Sequence, residues 1–216
     1  MKTSENNTRV VIFGTGDCAV LMHTYLTHDS PYDVVAFTAD SIYCKENHLL
    51  GLPIVQFEKI RGAFPPSNFN MLIAMGYSDI NKNRALKYKQ AKAMGYQLIT
   101  YVSSKVTIWP NVQLGDNCII VEDQTIQPNV TIGNNVILLG GQNHIGHHSI
   151  IGDHCYLSTH AVICGHVKVG PYCFLGANCT VRDNVVVAPE CIIGSGATII
   201  EDTVRNGVYI GKAATL

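Results

Sequence analysis

Charge is scarce in this chain. Only 14% of its 216 residues are Asp, Glu, Lys or Arg, and 15 basic residues against 16 acidic ones leave a formal net charge of −1. That balance excludes the broad positive field of a dispersed DNA or RNA binder, so any phosphate recognition has to be local. Long apolar runs are missing too: none approaches the roughly 20 residues of a membrane-spanning helix. The start, Met1-Lys2-Thr3-Ser4-Glu5-Asn6-Asn7, is polar with no apolar core behind it, which argues against a signal peptide. The eight cysteines contain no C-x-x-C spacing, which removes a common zinc and redox signature. Hydrophobic residues make up 47% of the chain, enough to bury one large core or two small ones and too many for disorder. The expectation is a soluble, cytoplasmic, thiol-reduced protein without nucleic-acid partners or membrane insertion.

Two halves follow different periods. From Arg9 to about Ser104 short strand patterns alternate with helical ones: strands at Val10 to Phe13, Val34 to Thr38, Met71 to Met75 and Gln97 to Val102. A helix after Gly16 is suggested by Val20, Leu21, Tyr25 and Leu26. A second is expected over Asp79 to Met94, with Ser78 as N-cap and Gly95 as stop. Lys82, Arg84, Lys87, Lys89 and Lys92 give it a basic side, read as a solvated face rather than a binding patch. This half is expected to be an α/β domain, residues 1–104, with a half-Rossmann-like parallel sheet.

After Ser104 the period becomes six. Ile, Leu or Val occupies Ile108, Leu114, Ile120, Ile126, Ile132 and Leu138, then Ile145 and every sixth residue to Ile199. Small or short residues recur four positions later, among them Cys155, Ala161, Val167, Cys173 and Cys191. Neither a helix nor an ordinary strand has this period. It suits a triangular prism with one short strand per face and three hexads, 18 residues, per turn, the coils stacking about 4.8 Å apart. One slip, seven residues in place of six, falls at Gly140-Gly141-Gln142-Asn143-His144. Residues 105–216 are thus expected to form a parallel β-helix.

Cys155, Cys173 and Cys191 stand 18 residues apart, so they should stack on the inside as buried, inert thiols. Six of the nine histidines lie between His144 and His166. His148, His154, His160 and His166 are spaced by six, so only His148 and His166 share a corner, and one chain cannot gather all four around one ion. No metal is therefore expected, since a ligand set needs convergence and not merely number. A metal site assembled across a trimer interface, as in the carbonic anhydrases built on the same helix, is the rival reading.

The hexad motif of aliphatic, Gly, two free positions, small, free, seen in Leu114 to Ile119 and Val169 to Phe174, resembles the hexapeptide-repeat, left-handed β-helix family. Preceded by an α/β domain, the whole chain resembles the NeuD/PglD-like sugar acetyltransferases. The resemblance rests on Phe13-Gly14-Thr15-Gly16-Asp17, Asn143 to Ser149, Cys173 to Asn178 and Gly194-Ser195-Gly196-Ala197. It implies a homotrimer with acetyl-CoA in the groove between subunits, acetylating a nucleotide-linked aminosugar. It places the general base at His147, with His144 as rival. It also implies coenzyme contacts at Tyr156, Ala177, Ser195 and the tail residue Lys212, with Arg205 as a further phosphate partner unless it merely faces solvent. The nucleotide falls to Gly14, Thr15, Gly16, Asp17 and Asp40, and a further substrate turn to Gly76 and Tyr77. The loop also reads as G-x-G-x-x-A between a strand and a helix, the phosphate-binding arrangement. About 95 residues hold only half of a full two-lobed dinucleotide fold, which argues against an oxidoreductase.

Chemistry asks for a histidine independently: a neutral amine attacking a thioester must lose a proton to a base that titrates near neutrality. Backbone N–H groups at the corners can stabilise the oxyanion. In the family an acidic residue commonly follows the base; here His148 stands there, so the base needs Asp153, Glu122, a neighbouring subunit or His148 itself to orient it. N-acetylation is the expected reaction. O-acetylation of a sugar of the sialic acid type, a metal-dependent hydratase and a non-catalytic scaffold are the alternatives.

Overall fold

A computed structural model describes residues 8–211. The chain divides into two compact units, one comprising the residues up to Gly76 together with Leu86–Ile99, the other Tyr77–Ala85 together with Thr100 onward.

The first unit is an α/β layer. Its strands are β1 (Arg9–Phe13), β2 (Asp33–Ala39), β3 (His48–Leu49), β4 (Leu52–Gln56) and β5 (Asn70–Ile73), in the spatial order β3-β4-β2-β1-β5. All pairings are parallel except β3 with β4. The helix α1 (Asp17–His28) follows β1, and α2 (Ile60–Ala63) and α3 (Lys82–Ala93) complete the element order. Val10, Val11 and Ile12 are fully buried at the sheet centre, as expected for a parallel strand covered on both faces. The expected strand Gln97 to Val102 is divided. Leu98 bridges to Met71 in this sheet, whereas Tyr101–Val102 pairs with Ile119–Ile120 in the second unit.

The second unit is a parallel β-helix. Two-residue strands stack into three sheets: a first face from Thr107–Ile108 to Thr198–Ile199, a second from Gln113–Leu114 to Val186–Val187, and a third from Tyr101–Val102 to Val208–Tyr209. Partners lie 18 residues apart, as in Ile145↔Ile163, and 19 apart across the slip, as in Ile126↔Ile145. The hexad aliphatics from Ile120 to Ile199 form one buried column with Cys118, Cys155, Cys173, Cys179 and Cys191.

The fourth hexad position, which looks free in sequence, is constrained. Asn111, Asn117, Asp123, Asn129, Asn135, His148, His154, His160, His166, Tyr172, Asn178, Asn184 and Glu190 all have φ between +53° and +63°. Each turns a corner through the left-handed region, where Asn, Asp and His are the best-tolerated side-chain-bearing residues. The six-residue spacing of the histidines is therefore a backbone requirement.

The segment before α3 also departs from expectation. Ser78 does not cap a helix; Asp79, Ile80 and Asn81 take φ of +50°, +44° and +64°, and the helix begins at Lys82. A β-branched residue is strained at positive φ, and the segment is held by polar anchors. Asn81 Nδ2 donates to the Cys173 carbonyl at 3.2 Å, and Arg84 donates to Asn135 Oδ1 at 3.2 Å and to the carbonyls of Asn135 and Cys155 at 3.1 Å each. Arg84 is fully buried, and Lys82 meets Glu190 at 3.2 Å, so the basic side is not a simple solvated face.

All eight cysteines are free thiols, and Cys155, Cys173 and Cys191 are buried. Burial pushes Cys118 up to about 11 and Cys179 up to about 12, and keeps Cys155 well above the ordinary thiol range. Among the described residues no helix is long and apolar enough to cross a membrane.

Two outcomes are expected. Leu157, fully buried in the column, should cost about 2–5 kcal/mol when changed to Ala, the usual loss for a cavity in a rigid core, measured by denaturant unfolding. The buried thiols should react slowly with a thiol reagent until the chain is denatured. Because folding raises the titration of Cys118 and Cys179 above the ordinary 9.0, at these two positions the unfolded chain releases its protons first as pH rises. Their contribution to stability should be complete below pH 9 and drain away between about 9 and 12.

Candidate functional site

The first unit presents a cavity of about 410 Å³ where β1, β2 and β5 end, the place where open α/β sheets bind ligands. Gly14, Thr15, Gly16, Asp17, Asp40 and Gly76 all line it. Gly14 is required there: its φ is +129°, and a Cβ would come within 2.6 Å of the Ala74 carbonyl oxygen. Its N–H donates to the Thr38 carbonyl at 2.8 Å, which pins the loop to β2. Gly16 is the N-cap of α1, with Asp17 in the first turn, so the loop delivers the chain to a helix N-terminus, which favours a phosphate. Tyr43, on a short 3-10 turn after Asp40, also lines the cavity; nothing in its spacing marked it in sequence.

Asp40 is not a free carboxylate. Its Oδ1 accepts from Lys87 Nζ at 2.6 Å, and Lys87 lies 5.6 and 5.5 Å from the ring centres of Phe13 and Phe57. Asp40 also lines a second cavity of about 430 Å³, together with Glu58, Arg61 and Lys87 among others. The Ser41 N–H donates to Glu58 at 3.2 Å, one of the backbone hydrogen bonds that hold the Glu58 carboxyl below the usual range.

In the second unit His147 follows the first-face strand His144–Ile145 and stands exposed at the corner leading to the second face. Its N–H donates to Gln127 Oε1 at 2.9 Å. Its ring lies over Gly165, where a Cβ would meet Cε1 and Nε2 at 2.9 Å; only glycine leaves that space. His147 Nδ1 is 3.1 Å from His148 Nδ1, and His148 Nε2 is 3.1 Å from Asn129 Nδ2. His166 stacks on His148 with centroids 4.9 Å apart at 11°.

His144 is half-buried and points outward along the first face between Thr125 and Val162. Neither carboxylate considered as an orienting group belongs to the His147 corner. Asp153 Oδ1 accepts from the Asn134 N–H at 2.7 Å, one corner further on. Glu122 lies at the corner before the first face, and its Oε2 is buried with no hydrogen-bond partner among the described residues.

Ala177 and Ser195 lie at the corner between the third and first faces, so they and His147 bound opposite ends of the first face. Ser195 is exposed and Ala177 half-buried. Tyr156 is on the third face, only 6% exposed, stacked on Phe174 at 5.5 Å and met edge-on by Tyr77 at 4.9 Å. Tyr77 thus packs on the β-helix, while Gly76 lines the first unit's cavity. Arg205 Nη2 is 2.6 Å from Glu190 Oε1, an acceptor that answers its charge. Lys212 lies outside the described residues.

Residues 166–201 match the family model for the bacterial transferase hexapeptide (six repeats). No curated protein matches the chain. Among solved structures, perosamine N-acetyltransferase from Caulobacter crescentus superposes with a TM-score of 0.84 at 23% identity, over 94% of this chain and 93% of that one. The acetyltransferase domain of PglB from Neisseria gonorrhoeae gives 0.78 at 20% identity, over 91% and 93%. WeeI from Acinetobacter baumannii gives 0.79 at 16%, over 94% and 97%. The α/β unit, the β-helix and the hexapeptide repeat together give this chain the fold of the NeuD/PglD-like sugar acetyltransferases.

Proposed function

We propose that this protein transfers the acetyl group of acetyl-CoA to the amino group of a nucleotide-linked aminodeoxy sugar, working as a homotrimer in the cytoplasm, with His147 as general base and no metal in the reaction. The observation that carries the reading is the shared fold with perosamine N-acetyltransferase, whose solved complex contains CoA and GDP-perosamine, combined with an exposed histidine on a glycine-cleared corner of that fold. N-acetylation is preferred to O-acetylation because that protein is an N-acetyltransferase. The nucleotide fits the cavity of Gly14 to Asp17, with phosphates toward the N-terminus of α1. Coenzyme along the first face would run between Ser195 at one corner and His147 at the other. Apolar Ile150 and Val186 are exposed on the second face, which suits coverage by another copy.

In the reaction the neutral amine attacks the thioester carbonyl while His147 accepts its proton. The tetrahedral intermediate then expels the coenzyme thiolate, which takes a proton in turn, so no acyl-enzyme is needed. A free lone pair on His147 Nε2 requires the ring proton on Nδ1, which then donates to His148 Nδ1. His148 consequently carries its own proton on Nε2 and needs an acceptor there. Asn129 supplies one when its amide turns by a half rotation to present Oδ1. His148 and Asn129 thus stand in for the carboxylate that commonly orients the base.

A coenzyme-release assay over GDP-, UDP- and dTDP-linked aminosugars tests the activity, with mass spectrometry locating the acetyl group; release with none of them would sink it. His147→Ala should lower kcat by about 10²–10⁴-fold while the assembly persists. Asn129→Asp should keep or raise kcat, because Asp tolerates left-handed backbone and accepts from His148 without rotating, whereas Asn129→Leu should lower it. Asp40→Ala should raise KM for the sugar nucleotide and leave that for acetyl-CoA nearly unchanged; the opposite split would remove the nucleotide from the first unit's cavity.

A further inference from the structure

Three histidines of one chain converge at the His147 corner. Ligand-capable atoms of His147, His148 and His166 all lie within 4.8 Å of one another, and all three residues are exposed. The scaffold brings them together for two separate reasons. His148 and His166 fill the left-handed position of successive coils, with φ of +61° and +57°, so their rings stack. His147 precedes that position and stands edge-on to both rings, with centroids at 5.3 and 5.1 Å. The backbone ties the two coils at this point, since the His166 N–H donates to the His147 carbonyl at 2.9 Å. Spacing by six alone unites only His148 and His166; it is the adjacent His147 that completes three.

Neutral imidazoles are preferred ligands for zinc and similar borderline divalent ions. With Zn–N bonds of about 2.0–2.1 Å, neighbouring nitrogens in a tetrahedron stand roughly 3.4 Å apart. The facing nitrogens of His147 and His148 are already 3.1 Å apart, and the third ligand has a short distance to close. Three donors on a rigid coil lose little freedom on binding, and the exposed side of the corner leaves a fourth position for water.

We propose that this corner is a binding site for a divalent cation of the zinc type, and that cation binding and acetyl transfer exclude one another. A neutral imidazole has two nitrogens and one ring proton. When either nitrogen of His147 gives its lone pair to a metal ion, the other holds the proton, so none is left to receive one from the amine. The ion is a reversible inhibitor here and not a cofactor. The inhibition rests on the acetyl-transfer reading; the binding does not.

The test uses the full-length protein, stripped of metal with a chelator that is then removed, and titrated with zinc chloride against a chromophoric competitor. One ion per chain is expected. His166→Asn, chosen because Asn suits the left-handed backbone, should weaken binding at least about tenfold by removing one of three ligands. Coenzyme release should fall with the same zinc midpoint, recover on adding EDTA, and shift its midpoint in step in the His166→Asn variant. No saturable binding at millimolar zinc, one ion per three chains, or equal affinity in the variant overturns the site. Zinc that binds while turnover continues overturns the exclusion. Should the metal-free protein acetylate no sugar nucleotide, the acetyl-transfer reading fails separately, and the stoichiometry and the variant's affinity still decide the site.

Discussion

Every sixth residue the backbone of the β-helix has to turn a corner while keeping its two-residue strands in register, and it does so by holding one residue near φ of +60°. That conformation costs a side-chain-bearing L-residue of the order of 1–2 kcal/mol, so it recurs thirteen or more times only because the inward aliphatics repay it. Each buried Ile, Leu or Val contributes about 1.5–3 kcal/mol, and each stands in the same hexad as its corner. The register cannot slip by one residue without placing polar corner residues inside the column.

These corners form three columns, and two of them carry networks of side-chain contacts. The column between the first and second faces contains Asn129, His148 and His166 and borders His147. The column between the second and third faces contains Asn117, Asn135, His154, Tyr172 and Glu190. Asn117 Nδ2 donates to Asn135 Oδ1 at 2.8 Å, and Asn135 Nδ2 stands 2.9 Å from His154 Nδ1. Arg84 and Lys82 fasten the Tyr77–Ala85 segment to this same column through Asn135 and Glu190. The choice among residues that tolerate a left-handed backbone is therefore where one architecture acquires different attachments.

What the sequence made legible follows from this physics. The aliphatic period and the G-x-G loop are local and repeat-bound signals, so the β-helix, the α/β layer and the pairing of Gly14 to Asp17 with Asp40 were readable from residues, whereas Gly76 entered only through the family resemblance. The corner position was read as free because Asn, Asp, His, Tyr and Glu share no polarity class; they share only a backbone conformation. The segment from Tyr77 to Ala85 was opaque for a different reason. Ser78 followed by a basic amphipathic pattern satisfies every local rule for a helix start, and only distant partners, the Cys173 and Cys155 carbonyls and Asn135, draw it into left-handed turns. Likewise Lys87 seemed to belong to a solvated face until its partner Asp40, 47 residues earlier, came into view.

The histidine corner shows how a single substitution class redistributes chemistry. A carboxylate beside a base fixes the ring proton on the near nitrogen and leaves the far one open; it has no proton of its own to place. His148 does, and in the proposed mechanism the orientation of the Asn129 amide, two hydrogen bonds from His147, decides which of its nitrogens carries it. The same replacement substitutes a neutral nitrogen donor for an anion and lets His148 stack on His166. A corner built to turn the chain then gathers three imidazoles in one place, and the proposed competition between proton and metal ion follows from having a histidine at that position.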